Sequence, residues 1–304
     1  MTKVVQESGT GSALRGAGSR YLRGKTAYLG VLPFSLLILL FLIWPTYSVV
    51  IGAFKDTEGA FTLSIVKSVI VDPIHISAFK HTLQVSAITA IIGAVLGALF
   101  AWAVATGKPD GFIRRISLSA SGVLAQFGGV MLTFAFLATF GFNGLVTTLI
   151  AKSFPDSFLA QPDWLYGIIG LCVVYSFFQI PLMFLVFLPT IDNLRPEWRE
   201  ASNGLGGNTS EYWRRVAIPV LMPSFLGAAL LLFANSFSAY ATAASLISQG
   251  SIITPLEISS ALSSETGAVN PALAKVLSLA MVVVVVIVMA LYSFLRRRVS
   301  KWER

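Results

Sequence analysis

Side chains capable of covalent or metal chemistry are scarce in this chain, and the few present exclude most reactions. Cys172 is the sole cysteine, and His75 and His81 are the sole histidines among 304 residues. A single cysteine rules out an intramolecular disulfide and a cysteine-based metal cluster. Both histidines fall in the Asp72–Thr82 stretch, so no Ser/His/Asp or Cys/His set can be assembled from them. One segment comes near a phosphate-binding loop: Gly18-Ser19-Arg20-Tyr21-Leu22-Arg23-Gly24-Lys25-Thr26. Five residues separate its glycines where the pattern needs four, and no apolar strand leads into it. The expectation is a chain that is not an enzyme and holds no cofactor, metal or nucleotide of its own.

The segment 191–219 is organised differently. Pro196 suits a first helical position, and Glu197 sits in a first turn near the positive dipole end. Gly204, Gly206 and Gly207 end that helix, because glycine takes the left-handed conformation without side-chain cost. Asn208 can cap a second helix, with Glu211 three positions on as its reciprocal partner. Pro219 and Pro223 then lead into an apolar run. The spacing predicts two short helices joined at an elbow.

This segment resembles the EAA loop of permease subunits in binding-protein-dependent ABC importers of type I. That pattern reads Glu-Ala-Ala, three residues, Gly, nine residues, then Ile-x-Leu-Pro. Glu200, Ala201 and Ser202 fill the first places, Gly206 falls at the required spacing, and Val216-Ala217-Ile218-Pro219 closes the pattern. The departures are Ser for the second Ala, Val for Ile, and Ile for Leu. The resemblance implies a loop that docks into a groove on a separate ABC ATPase subunit. It also implies a second permease (identical or homologous), an extracytoplasmic substrate-binding protein, and a place in the bacterial inner membrane. An amphipathic loop lying on lipid headgroups is the plainer alternative, and Trp198, Tyr212 and Trp213 would suit it. It leaves the spacing from Glu200 through Gly206 to Pro219 unexplained.

The elements that must hold such a loop follow from composition. Hydrophobic residues make up 55% of the chain and charged residues only 12%, with a mean hydropathy of +0.78. A water-facing surface needs roughly a quarter charged residues, so lipid is the expected solvent. Six charge-poor stretches are each long enough for a helical span of about 20 residues: 28–54, 82–106, 116–140, 164–190, 220–247 and 276–295. The uncharged runs 116–151 and 220–256 exceed one span each and predict additional buried or re-entrant backbone. The first stretch is too long for a cleaved signal segment and reads as a retained anchor, with Pro33 and Pro45 as kinks. The fold expected is all-α and polytopic. A transmembrane domain over 28–295 would be flanked by basic tails, 1–27 and 296–304.

Charge sets the orientation. With the N-terminus inside, the inner segments carry 17 of the 22 Lys and Arg, as the positive-inside rule requires. Both termini are then cytoplasmic. The net charge of +8 becomes a topology signal, with Arg296, Arg297 and Arg298 as headgroup anchors, and a nucleic-acid partner is not expected.

Asp, Glu, Lys and Arg are missing from the span cores, which disfavours ion-coupled transport and suits an ATP-driven pump. Candidate pathway residues are therefore neutral: Gln126, Gln179, Asn235, Ser236, Ser238 and Tyr240. Each can equally be an interhelical hydrogen bond. Gly93 and Gly97 form a GxxxG that lets helices approach. Cys172 reads as a packing residue, Asp110-Gly111 as a turn, and Lys108, Arg114 and Arg115 as anchors. The external segment 55–81 is either a cap that meets a binding protein or a solvated connection. The stretch 231–243 is similar to permeases for polyamines, phosphonates or related polar solutes. His81-Thr82-Leu83 departs from the Asn-Thr-Leu common in the family. A sugar or glycerol-phosphate importer is the alternative within the class. Outside it stands an ATP-independent channel or facilitator.

Overall fold

The computed structural model describes residues 31–56, 59–247, 253–263 and 269–299. The tail 1–27 with its near-match loop, residues 300–304, and the side chains of Arg296, Arg297 and Arg298 lie outside the described residues.

Among the described residues the chain is helical, with one isolated bridge between Lys55 and Phe61. Six helical stretches are long and apolar enough to cross a membrane: Val31–Gly52, Pro73–Ala105, Gly129–Ser153, Ile168–Asp192, Thr209–Phe237 and Pro271–Phe294. We number the helices α1 (Val31–Gly52), α2 (Ser64–Val71), α3 (Pro73–Ala105), α4 (Phe112–Gln126), α5 (Gly129–Phe140), α6 (Leu145–Ser153), α7 (Ile168–Asp192), α8 (Pro196–Gly204), α9 (Thr209–Phe237), α10 (Ala241–Leu246), α11 (Thr254–Leu262) and α12 (Pro271–Val299).

The count of six agrees with the sequence reading, but two boundaries change in kind. The stretch read as one span over 116–140 is two helices, α4 and α5, separated at Phe127 and Gly128. The stretch read as 220–247 is a helix that begins at Thr209 and stops at Phe237, a gap at 238–240, and the short α10. Helix α3 begins nine residues before the apolar run, at Pro73, where Asp72 caps it by accepting from Ile74 N–H at 2.9 Å. At 1.5 Å per residue α3 is about 50 Å long and outreaches a hydrocarbon layer of about 30 Å.

Pro45, expected to kink α1, and Pro219, expected to lead into the fifth span, are absorbed in the same way. A wide π turn at Leu39–Ile43 precedes Pro45, and another at Trp213–Ala217 precedes Pro219. The proline ring collides with the carbonyl four residues earlier. A wider turn at that point relieves the collision while the helix continues.

Packing divides the bundle into two halves. Near the 193–208 elbow, Ala90 to Val104 of α3, Met183 to Ile191 of α7, and Leu221, Ala228 and Leu232 of α9 form one core, against which Leu194 and Trp213 pack. In the far half, Val85 of α3, Leu132 of α5, Leu171 to Phe178 of α7, and Ala243 and Leu246 of α10 form another. Helices α3 and α7 run through both. Their contact depends on small residues: a Cβ on Gly93 would lie 2.7 Å from Gln179 Cβ, and one on Gly97 would lie 2.5 Å from Met183 Cβ. The GxxxG is thus spent on packing within the chain. Helix α1 stands apart, since none of its apolar window is buried by the rest of the chain. Among the described residues its foot is the part held, where Gly52 leaves room for the Lys275 side chain.

The far end is fastened by polar contacts between α11 and the start of α3. Thr254 N–H donates to Thr82 Oγ1 at 2.9 Å, and the Thr82 hydroxyl donates to Ala78 O at 2.8 Å. Glu257 is 5% exposed, with Oε1 3.3 Å from His75 Nδ1 and Oε2 unpartnered within the described structure. Burial raises the Glu257 carboxyl above its ordinary value, and the His75 hydrogen bond opposes that shift without cancelling it.

Two outcomes follow. Gly97→Val should destabilise the purified chain by about 1–3 kcal/mol or prevent its recovery, because Met183 is fully buried and has no space to yield. Gly122→Ala, with nothing within 4 Å of the added carbon, should leave thermal unfolding unchanged or slightly raised. For Glu257, a raised native pKa means that the folded chain binds the proton more tightly than the unfolded chain, so stability is lost as pH rises through the native value. Melting temperature should therefore climb from pH 8 to pH 5 in the parent, and climb less in Glu257→Gln. Equal slopes would show that this carboxyl does not set the dependence.

Candidate functional site

The elbow forms as local rules dictate. Pro196 occupies the first turn of α8 and Glu197 lies near its N-terminus. Leu205 N–H bonds to Ala201 O, Gly206 turns at φ +80°, and Gly207 N–H returns to Ser202 O at 2.9 Å. An L-residue in that left-handed conformation costs roughly 1–2 kcal/mol, which is why glycine is needed at 206. Asn208 accepts from Glu211 N–H at 2.9 Å while its own N–H donates to the Glu211 carboxylate at 3.2 Å, closing a capping box. The second short helix does not end before the next span. It continues through the wide turn into α9 as one rod from Thr209 to Phe237, so Pro219 and Pro223 lie inside the span's helix and do not mark its beginning.

Ala201, Ser202, Gly206 and Val216 line one hollow of about 520 Å³ together with Trp198, Leu205, Gly207, Glu211 and Arg215. Glu200 is exposed on α8, and Ile218 and Pro219 are exposed on the rod just beyond. Leu205 stands 91% exposed at the tip, an apolar residue on a charged surface that spacing alone did not single out. Tyr212 is buried and Trp213 packs edge-on to Trp102 of α3, with ring centroids 6.0 Å apart. These two rings anchor the elbow to the bundle. Beside it, the Arg114 guanidinium pairs with both Asp192 oxygens, tying α4 to the end of α7.

The six neutral candidates separate into two groups. Gln179 is fully buried and donates through Nε2 to Leu232 O at 2.8 Å, and Ser236 is buried against Thr89 Oγ1 at 2.7 Å. Both are interhelical fastenings. Gln126, Asn235, Ser238 and Tyr240 are exposed and stand at the two helix interruptions. The Tyr240 hydroxyl lies 2.8 Å from Ser259 Oγ of α11. Sequence reasoning missed Tyr175, Thr133 and Thr242, which pair the backbone at those interruptions. The Tyr175 hydroxyl donates to Ala239 O at 2.8 Å, Gly129 N–H donates to Thr242 Oγ1 at 2.9 Å, and the Thr133 hydroxyl donates to Thr242 O at 3.1 Å. The lengths of the uncharged runs, more than one span needs, and the glycine pair Gly128-Gly129 were the available signals.

Comparison with known proteins agrees with this geometry. The sulfate transport system permease protein CysT of Salmonella typhimurium is 28% identical over 174 residues, 57% of this chain and 59% of that protein. The putative ferric transport system permease protein FbpB 1 of Haemophilus influenzae is 23% identical over 204 residues, 67% of this chain and 31% of that protein. The chain thus spans under two thirds of the length of these relatives. Both are named for inorganic ions, and neither for the polyamines or phosphonates suggested by 231–243. Among solved structures, a bacterial ABC transporter that imports the acidic polysaccharide alginate aligns with a TM-score of 0.70 at 17% identity, over 92% of this chain and 98% of that one. The MetNI methionine ABC transporter aligns at 0.56 and 13% identity, over 74% of this chain and 96% of that one. The fold is that of ABC importer permeases. A family model described as binding-protein-dependent transport system inner membrane component matches residues 93–301. The chain belongs to that family of multi-pass inner membrane proteins.

Proposed function

We propose that the chain is the permease subunit of a type I ABC importer, forming the solute path and taking its energy from separate ATPase subunits. The observation that carries this reading is the elbow: a capped, glycine-turned knob fused to a rod that runs on into the bundle. Glu200, Ala201, Ser202, Gly206, Val216, Ile218 and Pro219 are the residues through which it would engage an ATPase. A second permease subunit and an extracytoplasmic binding protein complete the assembly. The uncovered α1 supports the second permease, since its apolar sides are free to pack on another chain. The elbow end and both termini are assigned to the cytoplasm, supported by the 17 of 22 basic residues on that side.

The solute we favour is a small inorganic oxyanion such as sulfate. The exposed polar side chains at the interruptions are amides and hydroxyls, whose N–H and O–H groups suit an oxyanion better than a ferric ion, which calls for anionic oxygen ligands. The name of the sulfate relative points the same way.

Glu200→Lys and Gly206→Val should insert normally into membranes yet lose ATPase copurification and solute uptake. Normal uptake by both variants would overturn the assignment. Binding-protein-dependent uptake of labelled sulfate should be ATP-dependent in vesicles. Ferric uptake without sulfate uptake would reverse the solute choice, and sulfate uptake persisting without the ATPase would favour a facilitator.

A further inference from the structure

The two helix interruptions lie far apart in sequence and side by side in space. A Cβ on Gly129, whose φ is +69°, would lie 3.6 Å from Ala241 Cβ. Thr242 bonds in both directions to α5: its hydroxyl accepts from Gly129 N–H and its carbonyl accepts from Thr133. Thr133, Thr242 and Tyr175 are 0%, 3% and 1% exposed, and the Thr133–Thr242 bond is buried. The gap at 238–240 is also where the chain passes from one core to the other. Helix α9 supplies Leu221, Ala228 and Leu232 to the elbow-side core, whereas α10 supplies Ala243 and Leu246 to the far core, which it shares with Leu132 of α5.

We propose that Thr133 and Thr242 are positioning residues that lock α10 and α5 into one gate unit, hinged at 238–240 and 127–128. Through this unit, motion of the α9 rod is delivered to the far half of the solute path. This rests on the importer reading. Hinges are a few element-terminal residues that absorb a backbone change between packed bodies, and both gaps meet that description. Tyr175, by holding Ala239 O, fixes the hinge to the continuous post α7. Helix α10 is too short to carry motion alone, and its bonds to α5 make the two a single body. The exposed Gln126 then stands at the α4–α5 hinge and Ser238 at the α9–α10 hinge.

The test uses the importer purified with its ATPase and partner permease and reconstituted in liposomes, in a Cys172→Ser background. Gln126→Cys and Ser238→Cys, made separately, are labelled with a membrane-impermeant maleimide with and without ATP plus vanadate. In the parent, labelling at both positions should change by about fivefold on nucleotide trapping, as expected for a shift between two states. With Thr242→Val, the response at 238 should persist while the response at 126 is lost, and Thr242→Ser should restore it. Thr133→Val cuts the same link from the α5 side and should give the same split, so the outcome does not rest on recovery of one variant. Responses at 126 that survive both valine substitutions would overturn the gate unit while leaving the importer reading intact. A parent with no nucleotide response at either position would overturn the importer reading and this inference with it.

Discussion

A backbone N–H or C=O left unpaired in hydrocarbon costs several kcal/mol, so a membrane chain can leave the helix only where another group completes the ladder. This constraint governs where α9 and α4 are allowed to stop. Tyr175 takes the carbonyl of Ala239, the Thr242 hydroxyl takes the N–H of Gly129, and Thr133 takes the carbonyl of Thr242. All three side chains are neutral, so none adds the desolvation cost of a charge. Each must arrive within hydrogen-bond distance, and that depends on packing elsewhere. Tyr175 reaches Ala239 because α7 is held against α3, and α7 can lie so close because Gly93 and Gly97 have no side chains to intervene.

The same economy explains the rod. A proline in a helix removes one donor and crowds a carbonyl, yet α9 contains Pro219 and Pro223 without a break. The wide turn at Trp213–Ala217 moves the crowded carbonyl aside, and Trp213 uses the extra turn to lie against Trp102. From Thr209 to Phe237 the helix therefore runs without a break. At 1.5 Å per residue, the 29 residues of α9 form a lever of about 44 Å.

What could be read from sequence was what local rules determine. Pro196, Gly206 and the Asn208–Glu211 capping box act within a few residues of themselves, so the elbow was legible almost completely. Six spans followed from the lengths of the apolar runs. The interruption at 238–240 was visible only as surplus length, whereas the one at Phe127-Gly128 also carried a glycine pair, Gly128-Gly129, that the span reading passed over. Contacts between distant residues were invisible. His75 and Glu257 are 182 positions apart and Thr82 and Thr254 are 172 apart. Glu257 did offer one signal, as the only charged residue between Val216 and Ser264, and a lone carboxylate in such surroundings is expected to find a buried partner.

Polarity in a span does not say which face a residue occupies, and Gln179 makes the point. Its position on α7 gave it the same standing as Gln126, yet it is fully buried with Nε2 engaged by Leu232 O. An interhelical bond of this kind is worth about 0.6–2 kcal/mol in a membrane, too little to hold α7 and α9 together unaided. Its effect is to fix register: Leu232 lies one turn before Ser236, which bonds Thr89 of α3. The two bonds therefore set the height of α9 against both posts just before its helix ends. A rod pinned at that height presents Asn235 and Ser238 on its other side, unburied, at the place where the backbone opens. Buried and exposed candidates thus belong to one arrangement, in which the first group fixes the height at which the second is left exposed beside the helix interruption.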